Sequence, residues 1–170
     1  KAQRDIINSE VEWPFTVVSQ SFTTTAGTAE YSRESDAKTV DYDSFTIQES
    51  ASTAEKQLKY LSFNEYLERR NEADTNPDTS ARALPEFVYK TPDQKIGLSP
   101  VPDKATYTVR YYYYQTTSDL ANNTDVSVIP ERFHDVIINR ARYYVHMLRS
   151  DVQFAQLALR DYKEGLLRLR

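Results

Sequence analysis

At Pro130 the apolar pattern of this 170-residue chain changes period, and the change requires two kinds of structure within one fold. Beyond it, Phe133, Val136, Ile137, Ala141, Tyr144, Val145 and Leu148 recur at three- and four-residue steps, the spacing that gathers side chains on one stripe of a helix. Pro130 suits a first-turn position, where its missing N–H breaks no bond, and Glu131 lies near the positive end of the helix dipole. Ser150 or Asp151 then caps a second helix, whose stripe is Phe154, Ala155, Ala158, Leu159, Tyr162 and Leu166. The spacing predicts an antiparallel helical hairpin with a very short turn. Upstream, Thr, Val, Tyr and Phe alternate in short runs divided by turn residues, which predicts strands over 15–22, 29–31, 44–48, 59–61, 86–90, 95–98 and 106–115.

Two further helical signals flank or interrupt the strands. Ile6, Ile7 and Val11 sit at helical spacing until Trp13-Pro14 closes the segment, because proline disfavours helix at the residue before it. Ser62 and Glu65 form a capping box ahead of Phe63, Tyr66 and Leu67, predicting a short helix that ends near Asn71. Residues 72–83 are almost without apolar side chains and read as a long exposed loop. The fold class is therefore α+β: a small helical bundle (1–13 and 130–170) with an inserted antiparallel β-barrel or sandwich lobe (14–129) that carries one short helix near 63–71.

Composition bounds what such a fold can do. Charged residues make up 27% and apolar ones 39%, a wet surface over a thin core, yet 13 Tyr and 7 Phe argue against disorder. The net charge is −4, but it is unevenly spread: residues 1–130 hold 13 Lys+Arg against 20 Asp+Glu, and residues 131–170 hold 8 against 5. An acidic body argues against a dedicated nucleic-acid binder. No cysteine is present, which removes disulfides, thiolate metal sites and thiol nucleophiles. No run approaches the length of a membrane span, and the beginning of the sequence has no apolar signal-peptide centre, as expected for a soluble protein of a reducing compartment.

Catalytic constellations are missing from the pattern. His134 and His146 lie twelve residues apart on one predicted helix, about 18 Å along its axis, too far to chelate one metal. Asp41 and Asp43 could share one face of a strand, but no His, third acid or Gly-rich loop accompanies them, so a solvated edge is the simpler reading. With glycine only at 27, 97 and 165, phosphate-cradling loops are absent, and no Ser is flanked by glycines in a nucleophile elbow. No metal and no cofactor is expected.

Two segments point to contact. Along the predicted strand Tyr107, Val109, Tyr111 and Tyr113 face one side, while Arg110, Tyr112 and Tyr114 face the other. Such a strand could stack sugar or single-stranded nucleic acid, or it could lie between a core and a neighbouring subunit, the reading that the acidic surroundings favour. The end of the second C-terminal helix sets Arg160, Lys163, Arg168 and Arg170 among Leu166, Leu167 and Leu169, three leucines that over-fill a single stripe and leave apolar surface for a partner.

Taken in order, several segments resemble the head-to-tail adaptor (connector) proteins of tailed bacteriophages. They are Trp13-Pro14-Phe15, the turn from Ala26 to Tyr31, the segment from Ile96 to Asp103, the tyrosine strand, and Ile129-Pro130-Glu131-Arg132-Phe133-His134. Each is weak alone; their order and spacing carry the likeness over nearly the whole chain. After Tyr31 the sequence departs from the expected apolar residue and proline, with Ser32 to Asp36 instead. The resemblance implies a structural, non-enzymatic subunit of the virion neck, present in the host cytoplasm before assembly. It implies a homo-oligomeric ring of about twelve copies, bound to the portal protein on one side and a tail or nozzle protein on the other, through which genomic DNA passes without specific binding. The basic, leucine-rich end, from Arg160 to Arg170, would be its portal-docking segment.

Overall fold

The structure is a computed structural model that describes residues 1–9, 11–69, 82–117, 119–122 and 124–169. It divides into two units, residues 1–17 with 114–170 and residues 18–113. Most of the predicted loop 72–83, together with Arg170, lies outside the described residues.

The first unit is helical. Helix α1 (Ala2–Ile7) supplies Ile6 and Ile7, which meet Trp13, Ile129, Val136 and Leu169 in one buried cluster. Trp13 sits there with its indole N–H satisfied, donating to the Ile6 carbonyl at 2.9 Å, so the ring is buried without an orphaned donor. Pro130 precedes a 3₁₀ turn (Glu131–Phe133) rather than an α-helix, and α3 begins one turn later (His134–Leu148). Residues 149–151 turn the chain into α4 (Val152–Leu169), with Ser150 in the left-handed region at φ 56° and the Asp151 carboxylate accepting from the Phe154 N–H at 3.5 Å.

Small residues set how closely the hairpin packs. Ala155, Ala158 and Gly165 are the buried positions of α4 alongside Leu169, and a Cβ on Gly165 would come within 2.8 Å of Val136 on α3. Beside this seam the Arg140 guanidinium lies over the rings of Tyr143, Tyr144 and Tyr162 at 5.3, 4.8 and 4.9 Å. The Tyr144 hydroxyl donates to Asp5, tying α3 to α1.

One expectation about this unit is corrected. The stripe read on α3 is wider than the core beneath it: Val136 is the only fully buried residue of α3, while Val145 is 45% and Leu148 88% exposed. On α4, Phe154 is likewise 56% exposed.

The second unit is two four-stranded sheets packed on a common core, with no closed barrel. Its strands are β1 (Val17–Thr23), β2 (Glu30–Tyr31), β3 (Ala37–Gln48), β4 (Lys56–Gln57), β5 (Lys59–Leu61), β6 (Phe87–Lys90), β7 (Ile96–Ser99) and β8 (Thr108–Gln115). One sheet has the order β1-β8-β3-β4 and the other β2-β7-β6-β5. The chain passes from one sheet to the other between β4 and β5 at Leu58, which is buried in the core between them. The pair β5–β6 is parallel, a correction to an all-antiparallel lobe. Its crossover contains α2 (Phe63–Arg69), as a parallel connection requires. The capping box forms as the sequence predicts: the Glu65 N–H donates to the Ser62 hydroxyl at 3.3 Å, and the Ser62 N–H donates to the Glu65 carboxylate at 2.8 Å.

Candidate interaction surfaces

Strand β8 lies between β1 and β3, and its two faces differ. Tyr107, Val109, Tyr111 and Tyr113 point into the core with Phe45, Ile47, Val88 and Leu98. Their hydroxyls still find partners at the margin, since Tyr107 donates to Asp103 at 2.5 Å and Tyr113 to Asp36 at 3.2 Å. Burial, and then the nearby Glu34 charge, pushes the Tyr111 phenol up to about 12; burial and the Asp103 hydrogen bond raise Tyr107 further. On the outer face Tyr112 is 45% exposed and Tyr114 half-buried, while Arg110 is held by Glu55 at 2.6 Å.

The end of α4 is ordered helix to Leu169, and the helix divides the three leucines. Leu169 belongs to the helical core at 7% exposure, Leu167 stands out at 73%, and Leu166 is half-buried between them. Leu166, Leu167, Lys163 and Tyr162 form one wall of an apolar groove of about 430 Å³ whose other wall is Ser9, Val11 and Trp13. Arg168 is turned aside to Asp135 at 2.9 Å, and Arg160 to Asp161 at 3.2 Å, so Lys163 is the cation that stands at the groove. Arg170 lies outside the described residues.

The histidines are accounted for by packing. His134 Nε2 meets the Ile129 carbonyl at 2.9 Å, and the His146 ring stacks on Phe154 with Nδ1 3.7 Å from Asp151. Asp41 and Asp43 are both exposed on β3, where Asp41 accepts from the Asp43 N–H at 3.2 Å, the geometry of a local turn contact. Among the described residues no His, Cys, Asp and Glu side chains cluster as a metal site would require, and no helix is long and apolar enough to cross a membrane.

A surface the sequence reading missed lies along α3. Ile137, Ala141, Tyr144, Met147 and Leu148 line a broad open groove of about 760 Å³ beside Ala2 and Gln3 of α1. The spacing signalled it: Ile137, Ala141, Tyr144 and Leu148 follow steps of four, three and four along the helix.

Exposed apolar helix faces edged with charge are the kind of surface by which a structural protein meets another protein. The sequence matches the SU10 adaptor protein family over residues 1–170, and the chain belongs to that family of phage adaptor proteins. No curated protein matches it. Family membership gives it a structural role in the virion, in contact with other phage structural proteins, and implies a protein that is not an enzyme.

Proposed function

We propose that the protein is a ring subunit of the phage neck, about twelve copies seated between portal and tail and extending the channel through which DNA leaves. The observation that carries this reading, beside the adaptor family, is the uncovered apolar surface of the helical hairpin: Val145, Leu148, Phe154, Leu157 and Leu167 are 44–88% exposed. Side chains of this kind gain roughly 1.5–3 kcal/mol each on full burial, so a lone subunit leaves much association energy unused. The end of α4, with Lys163, Leu166 and Leu167 at its groove and Arg160 and Arg168 on its surface, serves as the portal contact. An acidic β unit facing the channel lets DNA slide, because like charge withholds the phosphate contacts that would hold it.

Native mass measurement of the portal mixed with excess protein tests this. About twelve bound copies per portal ring are expected; a complex that saturates at one or two copies overturns the ring.

A further inference from the structure

We propose that β1 is a docking edge, on which an extended segment of a different structural protein of the virion adds as a further strand. The inference draws on family membership and uses none of the hairpin surfaces above.

The two sheets of the β unit have four edges, β1 and β4 in one, β2 and β5 in the other. An open edge presents a row of unpaired N–H and C=O groups, and proteins blunt such edges by shortness, charge, proline or a bulge. Strands β2 and β4 have two residues each and β5 has three, and they carry Glu30, Lys56 and Lys59. Strand β1 has seven residues, with neither a charge nor a proline among them. Among the described residues no strand lies beyond it.

The backbone of β1 is turned to receive one. Thr24, the next residue, donates to the Tyr107 carbonyl at 2.9 Å, on the β8 side. Direction alternates along a strand, so Val18, Gln20 and Phe22 turn their backbone groups to β8, and Ser19, Ser21 and Thr23 turn theirs outward. The side chains of those last three are exposed. At Ser21 a side chain stands where a strand would lie: the Gln20 carboxamide accepts from the Ser21 N–H through Oε1 at 3.1 Å and donates through Nε2 to the Glu34 carboxylate at 2.7 Å. One group supplies a carbonyl to the backbone and an N–H to an acid.

Those two contacts define the occupant. A strand laid on β1 brings carbonyls for the outward N–H groups and N–H groups for the outward carbonyls. Glu34 is half-buried, and among the described residues no Lys or Arg lies within ion-pair distance of it, so the matching segment carries a cation opposite Gln20. At every second position to either side it carries apolar residues, because Val18 and Phe22 are only partly buried at the margin of the core. A second copy does not fit. Its other edges are too short, and β1 against β1 brings two Glu34 carboxylates to one seam with no cation for either.

The test uses assembled phage particles. A benzophenone amino acid is placed at exposed position 19, the particles are irradiated, and the adduct is mapped by mass spectrometry. The expected adduct joins position 19 to a segment of another virion protein that reads apolar, cationic, apolar at every second residue. An adduct with β1 of a second copy overturns the proposal, as does an adduct with a segment of any other pattern, or no adduct. Ser21→Pro removes an outward N–H that β8 does not use, which an edge strand tolerates, whereas Ser21→Ala keeps that N–H. The proline variant should lose about tenfold or more of the adduct and the alanine variant little of it. Equal yields from the two would show a contact that the backbone does not make, and overturn the strand. Glu34→Gln keeps the shape of the side chain and should lower the yield severalfold; an undiminished yield overturns the cationic occupant. Copy number on the portal is read separately, so a missing adduct leaves the ring standing and a failed ring leaves the adduct standing.

Discussion

The end of the Tyr89 ring occupies the space that a side chain on Gly97 would fill. The two residues are cross-strand partners in the antiparallel pair β6–β7, and a Cβ at Gly97 would overlap the ring. Tyr66 of α2 stacks on the same ring, with centroids 3.8 Å apart and planes 11° from parallel. Glycine therefore provides the slot that lets a short helix dock on the second sheet through a cluster of aromatic side chains and Leu61. Gly97→Ala should lower unfolding free energy by about 1–3 kcal/mol through overpacking. Urea denaturation measures it, and a variant with unchanged midpoint and slope would show that the ring is not there.

Gly165 permits a different approach, helix against helix. Val136 is fully buried and stiff about its first side-chain torsion, so it has little room to retreat from a new Cβ at 2.8 Å. Gly165→Val should cost at least about 2 kcal/mol, while Gly165→Ala gains up to about 1 kcal/mol of helix propensity against its clash. Adding Val136→Ala to Gly165→Val should recover part of the loss, because the cavity of one change accepts the methyl groups of the other. Additive losses in the double-mutant cycle would contradict this contact.

Much of this fold is legible from local pattern, and the parts that are not share a cause. Strand β8 and the Ser62 capping box are specified within a few residues and form where they are expected. Strand β3 extends over Ala37–Gln48, whereas alternation of apolar residues marks only its second half; the inward positions pass from Val40 and Tyr42 to Phe45 and Ile47, which breaks a period of two, and exposed Asp41 and Asp43 lie where that change falls. Strand β4 is Lys56–Gln57, both exposed, and carries no apolar signal at all. It pairs because Leu58 beyond it is drawn into the core. For the surfaces the limit is of another kind. Periodicity shows which side of α3 and α4 is apolar, but it does not show which part of that side the same chain covers. Leu167 and Leu169 lie about 200° apart on the helix, and it is Leu169, in step with the buried Ala155, Ala158 and Gly165, that joins α1 and Trp13 in the core while Leu167 stays at the surface.

Alkali should destabilise the β unit through its buried phenols. Burial holds Tyr111 and Tyr42 up to about 12 in the folded protein, against an ordinary value of 10.0. A phenol that keeps its proton more tightly when folded contributes its full stabilisation below pH 10, and loses it as pH rises from about 10 to about 12. For Tyr111, 1% exposed, the loss is on the order of 2 kcal/mol. Tyr111→Phe removes the titrating group, so its stability should fall less steeply over that range than the wild type's. Parallel pH–stability curves for the two proteins would refute the assignment.

Portal binding should depend on Leu167 and Lys163 in a way that separates docking from folding. Removing the segment from Leu166 onward is a poor experiment, because it takes Leu169 out of the helical core with it. Leu167, 73% exposed, can be changed to Asp, and exposed Lys163 to Glu, without disturbing that core. If the groove beside Trp13 receives an apolar side chain of the portal, Leu167→Asp should weaken binding at least tenfold, about 1.4 kcal/mol or more, with thermal stability unchanged. Lys163→Glu should act mainly on the association rate and reduce the sensitivity of binding to salt, since its contribution is long-range attraction to an acidic surface. Exposed Asp43→Asn on β3 serves as the control, expected to change neither quantity. Equal portal affinity for wild type and Leu167→Asp would remove the end of α4 from the interface, and would leave the α3 groove beside α1 as the face to test next.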